Sequence, residues 1–169
     1  MGDAYKHTLP NLKACGKGCY FHGAIHVTSP GGLEIGNNVH ISPGAHIDAR
    51  GGVFIGNNVH IGGNLTIYSY SHNYEGDALP YDDTWIVKPV LIENNVWIGM
   101  NVRIIPGVII GEGAVIGLGT VVSMDIPPLS IVGNQKPRII KYRDKAHYDL
   151  LVKKRAYGGR GGKPLKGIQ

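Results

Sequence analysis

The sequence predicts an all-β chain that folds mainly as a parallel β-helix, a stack of triangular coils built from six-residue repeats, with a loop expelled from the stack and a short C-terminal helix. Three observations carry this. Ile92, Ile98, Ile104, Ile110 and Ile116 recur every six residues, and Val122 adds one further step. Two places before each stands a smaller residue: Val90, Val96, Val102, Val108, Ala114 and Thr120. Glycine follows several of the isoleucines, at Gly99, Gly111 and Gly117. A period of six fits neither a helix nor a long strand. It fits a short strand and a tight turn, with Ile inward and Gly or Asn taking turn conformations that β-branched residues avoid. Three such sides close one coil.

From the N-terminus, residues 1–18 form a lead-in without the apolar run of a signal peptide. The β-helix is expected over 19–126. Phe21 and Val27 belong to an early coil, Ile35, Ile41 and Ile47 to the next, and Ile55, Ile61 and Ile67 to a third. Two extra residues enter between Val27 and Ile35, and again between Ile47 and Ile55. The flanking positions Cys19, Ile25, Leu33, Val39, Ala45, Val53, Val59 and Leu65 keep the phase. Cys15 and Cys19 therefore read as core residues at the start of the coils. Two cysteines without a CxxC spacing argue against a disulfide scaffold or a cysteine zinc site.

Between Ile67 and Ile92 the chain advances 25 residues where the period asks for six. The surplus is expelled as a loop at 68–89, with Tyr68, Tyr70, His72, Tyr74, Asp77, Tyr81, Asp82, Asp83 and Trp85. Long loops inside compact repeats are usually functional or disordered, and this aromatic content favours order against a partner. After Val122 the pattern gives way to Asp125-Ile126-Pro127-Pro128, where proline lacks the ladder donor. Residues 127–157 are expected to hold an extended strand, then a helix within 143–156 burying Ala146, Leu150 and Leu151. The Gly- and Lys-rich tail, 158–169, reads as disordered. No segment has the apolar length of a membrane span, so a cytoplasmic protein is expected. The net charge of +5 suits anionic ligands but is too small to argue nucleic acid, and one Gly158-Gly159-Arg160-Gly161-Gly162 run is a weak RNA signal.

The stretch PVLIENNVWIGMNVRIIPGVIIGEGAVIGLGTVVSMDIPPLSIVGNQKPRIIK, residues 89–141, resembles the coenzyme-A-binding half of the hexapeptide-repeat acetyltransferases, the maltose, galactoside and virginiamycin-type group. Upstream, IDARGGVFIGNNVHIGGNLTIYSYSHNYEG, residues 47–76, resembles the region leading to that group's catalytic histidine. The resemblance implies a left-handed β-helix, a homotrimer, acetyl-CoA as donor, and sites between neighbouring subunits. Met100, Leu118 and Met124 stand where many relatives carry other, often smaller, residues. Ser42-Pro43-Gly44-Ala45 replaces an Asn-rich acceptor motif.

Within that frame His72 is the candidate base, since imidazole titrates near working pH and His72 opens the expelled loop. Trp97 sits outward beside the Gly99 turn, where plain interface packing is one reading; the resemblance makes it a wall of the acetyl and pantetheine channel, with nearby backbone N–H groups placed for an oxyanion. Gly117, Gly119 and Ser123 would leave a narrow pantetheine groove, and Lys136, Arg138 and Lys141 would meet the phosphates of coenzyme A; turn geometry and solvated charge are the plainer readings of these two sets. Asp48 and Arg50 lie one coil before Tyr68 and Tyr70, so they are expected beside His72 as acceptor ligands or imidazole-orienting groups, or as a turn salt bridge. Tyr70, Asn73, Tyr74 and Asp77 are further acceptor candidates. The expected activity is acetyl-CoA-dependent O-acetylation of a sugar or polysaccharide hydroxyl; N-acetylation of an amino sugar is the alternative. His26, His40, His46 and His60 point outward by phase, with His40, His60 and Trp97 stacked on one face. Some hexapeptide β-helices are trimeric zinc carbonic anhydrases, but these spacings do not resemble their histidine motif, and no metal is expected.

Overall fold

The computed structural model describes residues 11–134 and 141–156. The chain divides into two compact units, Met1–Asn134 and Gln135–Gln169. The first is a β-solenoid with three flat faces of parallel strands. Its first face is built from Ala14–Cys15, Leu33–Ile35, Val53–Ile55, Val90–Ile92 and Ile109–Ile110. The second contains Tyr20–Phe21, His40–Ile41, His60–Ile61, Trp97–Ile98, Val115–Ile116 and Ile131–Val132. The third contains His26–Thr28, His46–Asp48, Thr66–Tyr68, Arg103–Ile104 and Val121–Val122.

Register follows the six-residue phase. Ile35, Ile55, Ile92 and Ile110 pair in one column, Ile41, Ile61, Ile98 and Ile116 in a second, and Ile47, Ile67, Ile104 and Val122 in a third. These residues and the smaller partners two places earlier form one buried core. Burying each Ile is worth about 1.5–3 kcal/mol, which fixes the phase because a one-residue slip would turn every Ile outward. Polar order holds one corner: Asn38, Asn58 and Asn95 all have positive φ, and each side-chain amide donates to the next group up, at 3.0, 3.0 and 2.9 Å, ending on Glu112. Asparagine suits this corner because it tolerates the left-handed region and can pair with its own kind.

The ends differ from the repeat reading. Cys15 is exposed and Cys19 half-buried, because among the described residues no coil lies beneath the first. Desolvation, then neighbouring Cys19, push the Cys15 thiol up to about 11, so it is protonated at neutral pH. Beyond Val122 the stack continues: Ile126 bridges Ile110, and Ile131–Val132 pairs with Val115–Ile116. The prolines pass between these contacts, while the Asp125 carboxylate accepts the Ile109 N–H at 2.8 Å. In the second unit a helix spans Lys145–Lys153, capped by the Asp144 carboxylate, which accepts from His147 N–H at 2.6 Å. It buries no residue; Ala146 and Leu150 are exposed and Leu151 is half-buried. No helix among the described residues is long and apolar enough to cross a membrane.

Candidate active site

The solenoid keeps its register across the long insertion, so the insertion must leave and return at one place. Ser69, fully buried, makes the exit. Its hydroxyl donates to the Asp48 carbonyl at 2.9 Å and accepts the Gly51 N–H at 2.8 Å. Tyr70–His72 then runs antiparallel to Trp85–Val87, pairing Tyr70 with Val87 and His72 with Trp85. The alternation Tyr68, Tyr70, His72 is the period of a strand leaving the stack.

The imidazole of His72 stacks on Tyr81 at 3.8 Å between centroids and meets Trp85 at 4.3 Å. Its Nδ1 is buried and has no hydrogen-bond partner among the described residues. The hairpin tip is organised by Asp82: its carboxylate accepts from the Thr84 hydroxyl at 2.6 Å, the Thr84 N–H at 2.9 Å and the Asp77 N–H at 3.1 Å. Those donors, the Thr84 hydroxyl first, hold the Asp82 carboxyl below its ordinary value. Asn73 is engaged in the same brace, donating to the Thr84 hydroxyl at 3.0 Å and accepting the Glu75 N–H at 3.1 Å. Tyr74 is exposed on the tip.

One coil below, Asp48 pairs in register with Tyr68. Its buried carboxylate accepts the Arg50 N–H at 3.2 Å. The Arg50 guanidinium lies 4.4 Å from the centroids of both Tyr70 and Trp85. Burial first, then the Asp48 carboxylate, raises the Tyr70 phenol above its ordinary value. Asp48, Arg50, Tyr70 and His72 thus belong to one cluster, completed by Tyr81 and Trp85, which the repeat pattern could place only somewhere in the loop.

A second feature lies on the second face. Trp97, Gly99, Met100, Gly117 and Leu118 line a mainly apolar groove of about 400 Å³. Gly99 is required there by close approach: a Cβ would stand 2.7 Å from the Leu118 nitrogen of the next coil. Below the groove, and sharing Trp97 with it, lies a hollow of about 240 Å³ lined by His22, His40, Ser42 and His60. The rings of His40 and His60 stack 4.4 Å apart, and those of His26 and His46, on the third face, 4.8 Å apart. Burial, then His60 and His22, lowers the His40 pKa. Parallel stacking directs imidazole lone pairs alongside one another, and among the described residues no group of His, Cys, Asp or Glu is arranged to hold a metal ion.

Gly119 is a turn residue with φ +70°, its carbonyl accepting from the Asn134 amide at 2.5 Å. Ser123 is exposed and lines neither hollow. Lys141 is exposed in the second unit, and Lys136 and Arg138 lie outside the described residues.

Residues 89–123 match the family model Bacterial transferase hexapeptide (six repeats). Galactoside O-acetyltransferase of Escherichia coli (strain K12) is 41% identical over 63 residues, 36% of this chain and 31% of that protein. Chloramphenicol acetyltransferase of Agrobacterium fabrum (strain C58 / ATCC 33970) is 31% identical over 87 residues, 51% of this chain and 39% of that protein. The chain therefore spans well under half the length of these curated relatives. Among solved structures, galactoside acetyltransferase in complex with coenzyme A superposes with a TM-score of 0.55 at 25% identity, covering 92% of this chain and 74% of that one.

Proposed function

We propose that this chain, which belongs to the hexapeptide-repeat acyltransferase family, transfers the acetyl group of acetyl-CoA to a hydroxyl of a sugar or polysaccharide, with His72 as general base. The observation that carries the reading is the state of His72. Its ring is gripped by Tyr81 and Trp85 and its Nδ1 is buried, which leaves Nε2 as the nitrogen available to an acceptor.

The chemistry follows from that one free nitrogen. Nε2 takes the proton of the acceptor hydroxyl as its oxygen attacks the thioester carbonyl. The Trp97 and Gly99 N–H groups already donate to the Ala114 and Ile116 carbonyls at 3.0 and 2.8 Å, so the N–H assigned to the tetrahedral oxyanion is that of Met100, which lines the same groove. It collapses with cleavage of the carbon–sulfur bond, and the imidazolium returns its proton to the departing thiolate. The products are the acetyl ester and coenzyme A. The apolar groove at Trp97, Gly99 and Gly117 suits the thin pantetheine arm, and the coenzyme A in the galactoside acetyltransferase structure supports that choice of donor. An acceptor amine would use the same base, so amino-sugar N-acetylation is the second reading.

A cyclic homotrimer belongs to this proposal. The groove lies on the second face, whereas His72 rises from the end of the third. Three parallel prisms would bring one copy's His72 toward the next copy's Trp97. The test is to incubate the protein with acetyl-CoA and a panel of sugars, amino sugars and oligosaccharides. Thiol release together with an acetyl ester on a hydroxyl supports the reading. Product confined to amines assigns the second reading, and failure to bind coenzyme A contradicts both.

A further inference from the structure

We infer that Arg50 forms an oxyanion-binding subsite beside His72, and that the acceptor carries a carboxylate or phosphate. The acetyl-transfer reading gives the subsite its use, but the subsite itself rests on the geometry of this cluster.

Arg50 is held without being neutralised. Its guanidinium sits 4.4 Å from the Tyr70 centroid and 4.4 Å from the Trp85 centroid. Those two rings meet edge to face at 5.0 Å, so they form a corner that the planar cation fits. Because the rings stand at 73° to each other, the flat surface of the guanidinium can lie along only one of them; part of its N–H edge then faces the other ring, and the remaining in-plane donors are left for a bidentate oxyanion. Among the described residues no ion pair and no side-chain hydrogen bond engages the Arg50 guanidinium. The acidic residue nearest in sequence, Asp48, is buried in the turn beneath, where its carboxylate takes the Arg50 backbone N–H and acts on the Tyr70 phenol. In the hairpin tip the Asp82 oxygens are already committed to Thr84 and Asp77.

The position matters as much as the charge. Trp85 touches both the Arg50 guanidinium and the His72 imidazole, at 4.4 and 4.3 Å. An oxyanion held by Arg50 therefore lies about one side chain from the base, a suitable separation for two groups on one sugar ring. Arg50 is exposed, so the subsite opens to solvent. Carboxylate and phosphate share the fork geometry that a guanidinium reads; a uronic acid and a sugar phosphate are the two sources to compare.

The chain has two tryptophans, Trp85 and Trp97. In a Trp97→Phe background, Trp85 fluorescence reports on Arg50 without any acetyl donor. Titrations with glucuronate, glucose 6-phosphate and uncharged glucose supply the comparison. At least one anionic sugar is expected to give a saturable change that glucose does not, and the stronger of the two identifies the source. In Arg50→Gln that affinity falls about tenfold or more, and Arg50→Lys, which keeps the charge but not the fork, falls between. Lack of saturation by both anions, equal binding of glucose, or binding unchanged in Arg50→Gln would each overturn the subsite. Because no donor is present, this result stands apart from whether the protein transfers acetyl groups.

Discussion

His72 and Trp85 stand opposite each other on the antiparallel hairpin, in register, with their rings 4.3 Å apart. Tyr81 packs on the same imidazole at 3.8 Å. The candidate base is thus oriented by aromatic surfaces, with no hydrogen bond to Nδ1 within the described residues. Directly opposed aromatic pairs across strands contribute to sheet stability as well as to orientation.

Removing one of those surfaces should disturb orientation more than donor binding. Trp85→Ala is expected to lower kcat by about tenfold to a hundredfold, while the KM for acetyl-CoA changes little. Trp85→Phe should restore most of kcat because it returns a flat face. A rise in KM for acetyl-CoA with kcat intact would show that Trp85 serves the donor instead.

The hairpin tip should respond to acid through Asp82. Its folded-state pKa is lowered from 3.8 by the Thr84 hydroxyl, the Thr84 amide and the Asp77 amide. A lowered folded value means that the stabilisation is present above the unfolded pKa and is lost as pH falls through the folded one. Hydrogen exchange at the Asp77 and Thr84 amides should therefore accelerate, beyond its intrinsic pH dependence, as the carboxylate protonates. In Asp82→Asn these amides should be less protected already at neutral pH. Unchanged protection in that variant contradicts the brace.

Core and surface members of one strand should separate cleanly. Ile98 is fully buried and Trp97, its neighbour, is 61% exposed. Ile98→Ala is expected to cost about 2–5 kcal/mol in urea unfolding. Trp97→Ala should change stability by less than about 1 kcal/mol and weaken coenzyme A binding. Equal destabilisation by both would mean that Trp97 is a packing residue.

The contrast between these residues explains what the sequence could disclose. Within each uninterrupted run, Ile35 to Ile47, Ile55 to Ile67 and Ile92 to Ile116, the isoleucines repeat every six residues and burial enforces that phase, so the columns were legible. Asp48 and Tyr68 were legible as neighbours because counting one coil with its two-residue insertion is enough, and they pair as counted. The hairpin was not legible in this way. Its register joins residues across an irregular tip, and the contacts of Tyr81 and Trp85 with His72 obey no repeat. The exposure of Cys15 and Leu150 also escaped the pattern, since a periodic position says which way a side chain points but not whether another layer covers it.

Assembly has its own check. Light scattering should give three times 18.2 kDa. If the base and the donor groove come from neighbouring copies, His72→Ala and Trp97→Ala chains, unfolded together and reassembled, should recover part of the lost transfer in proportion to the interfaces with both residues intact. A stable active monomer, or verified mixing with no recovery from two inactive parents, contradicts a shared site.

The central claim, that His72 is the base for acetyl transfer, is tested most directly by measuring turnover and coenzyme A binding on the same preparation of His72→Ala. Coenzyme A affinity is expected to stay within about twofold of the parent, and the rate of transfer to fall by about two to four orders of magnitude. Turnover close to the parent's, with coenzyme A still bound, would contradict it.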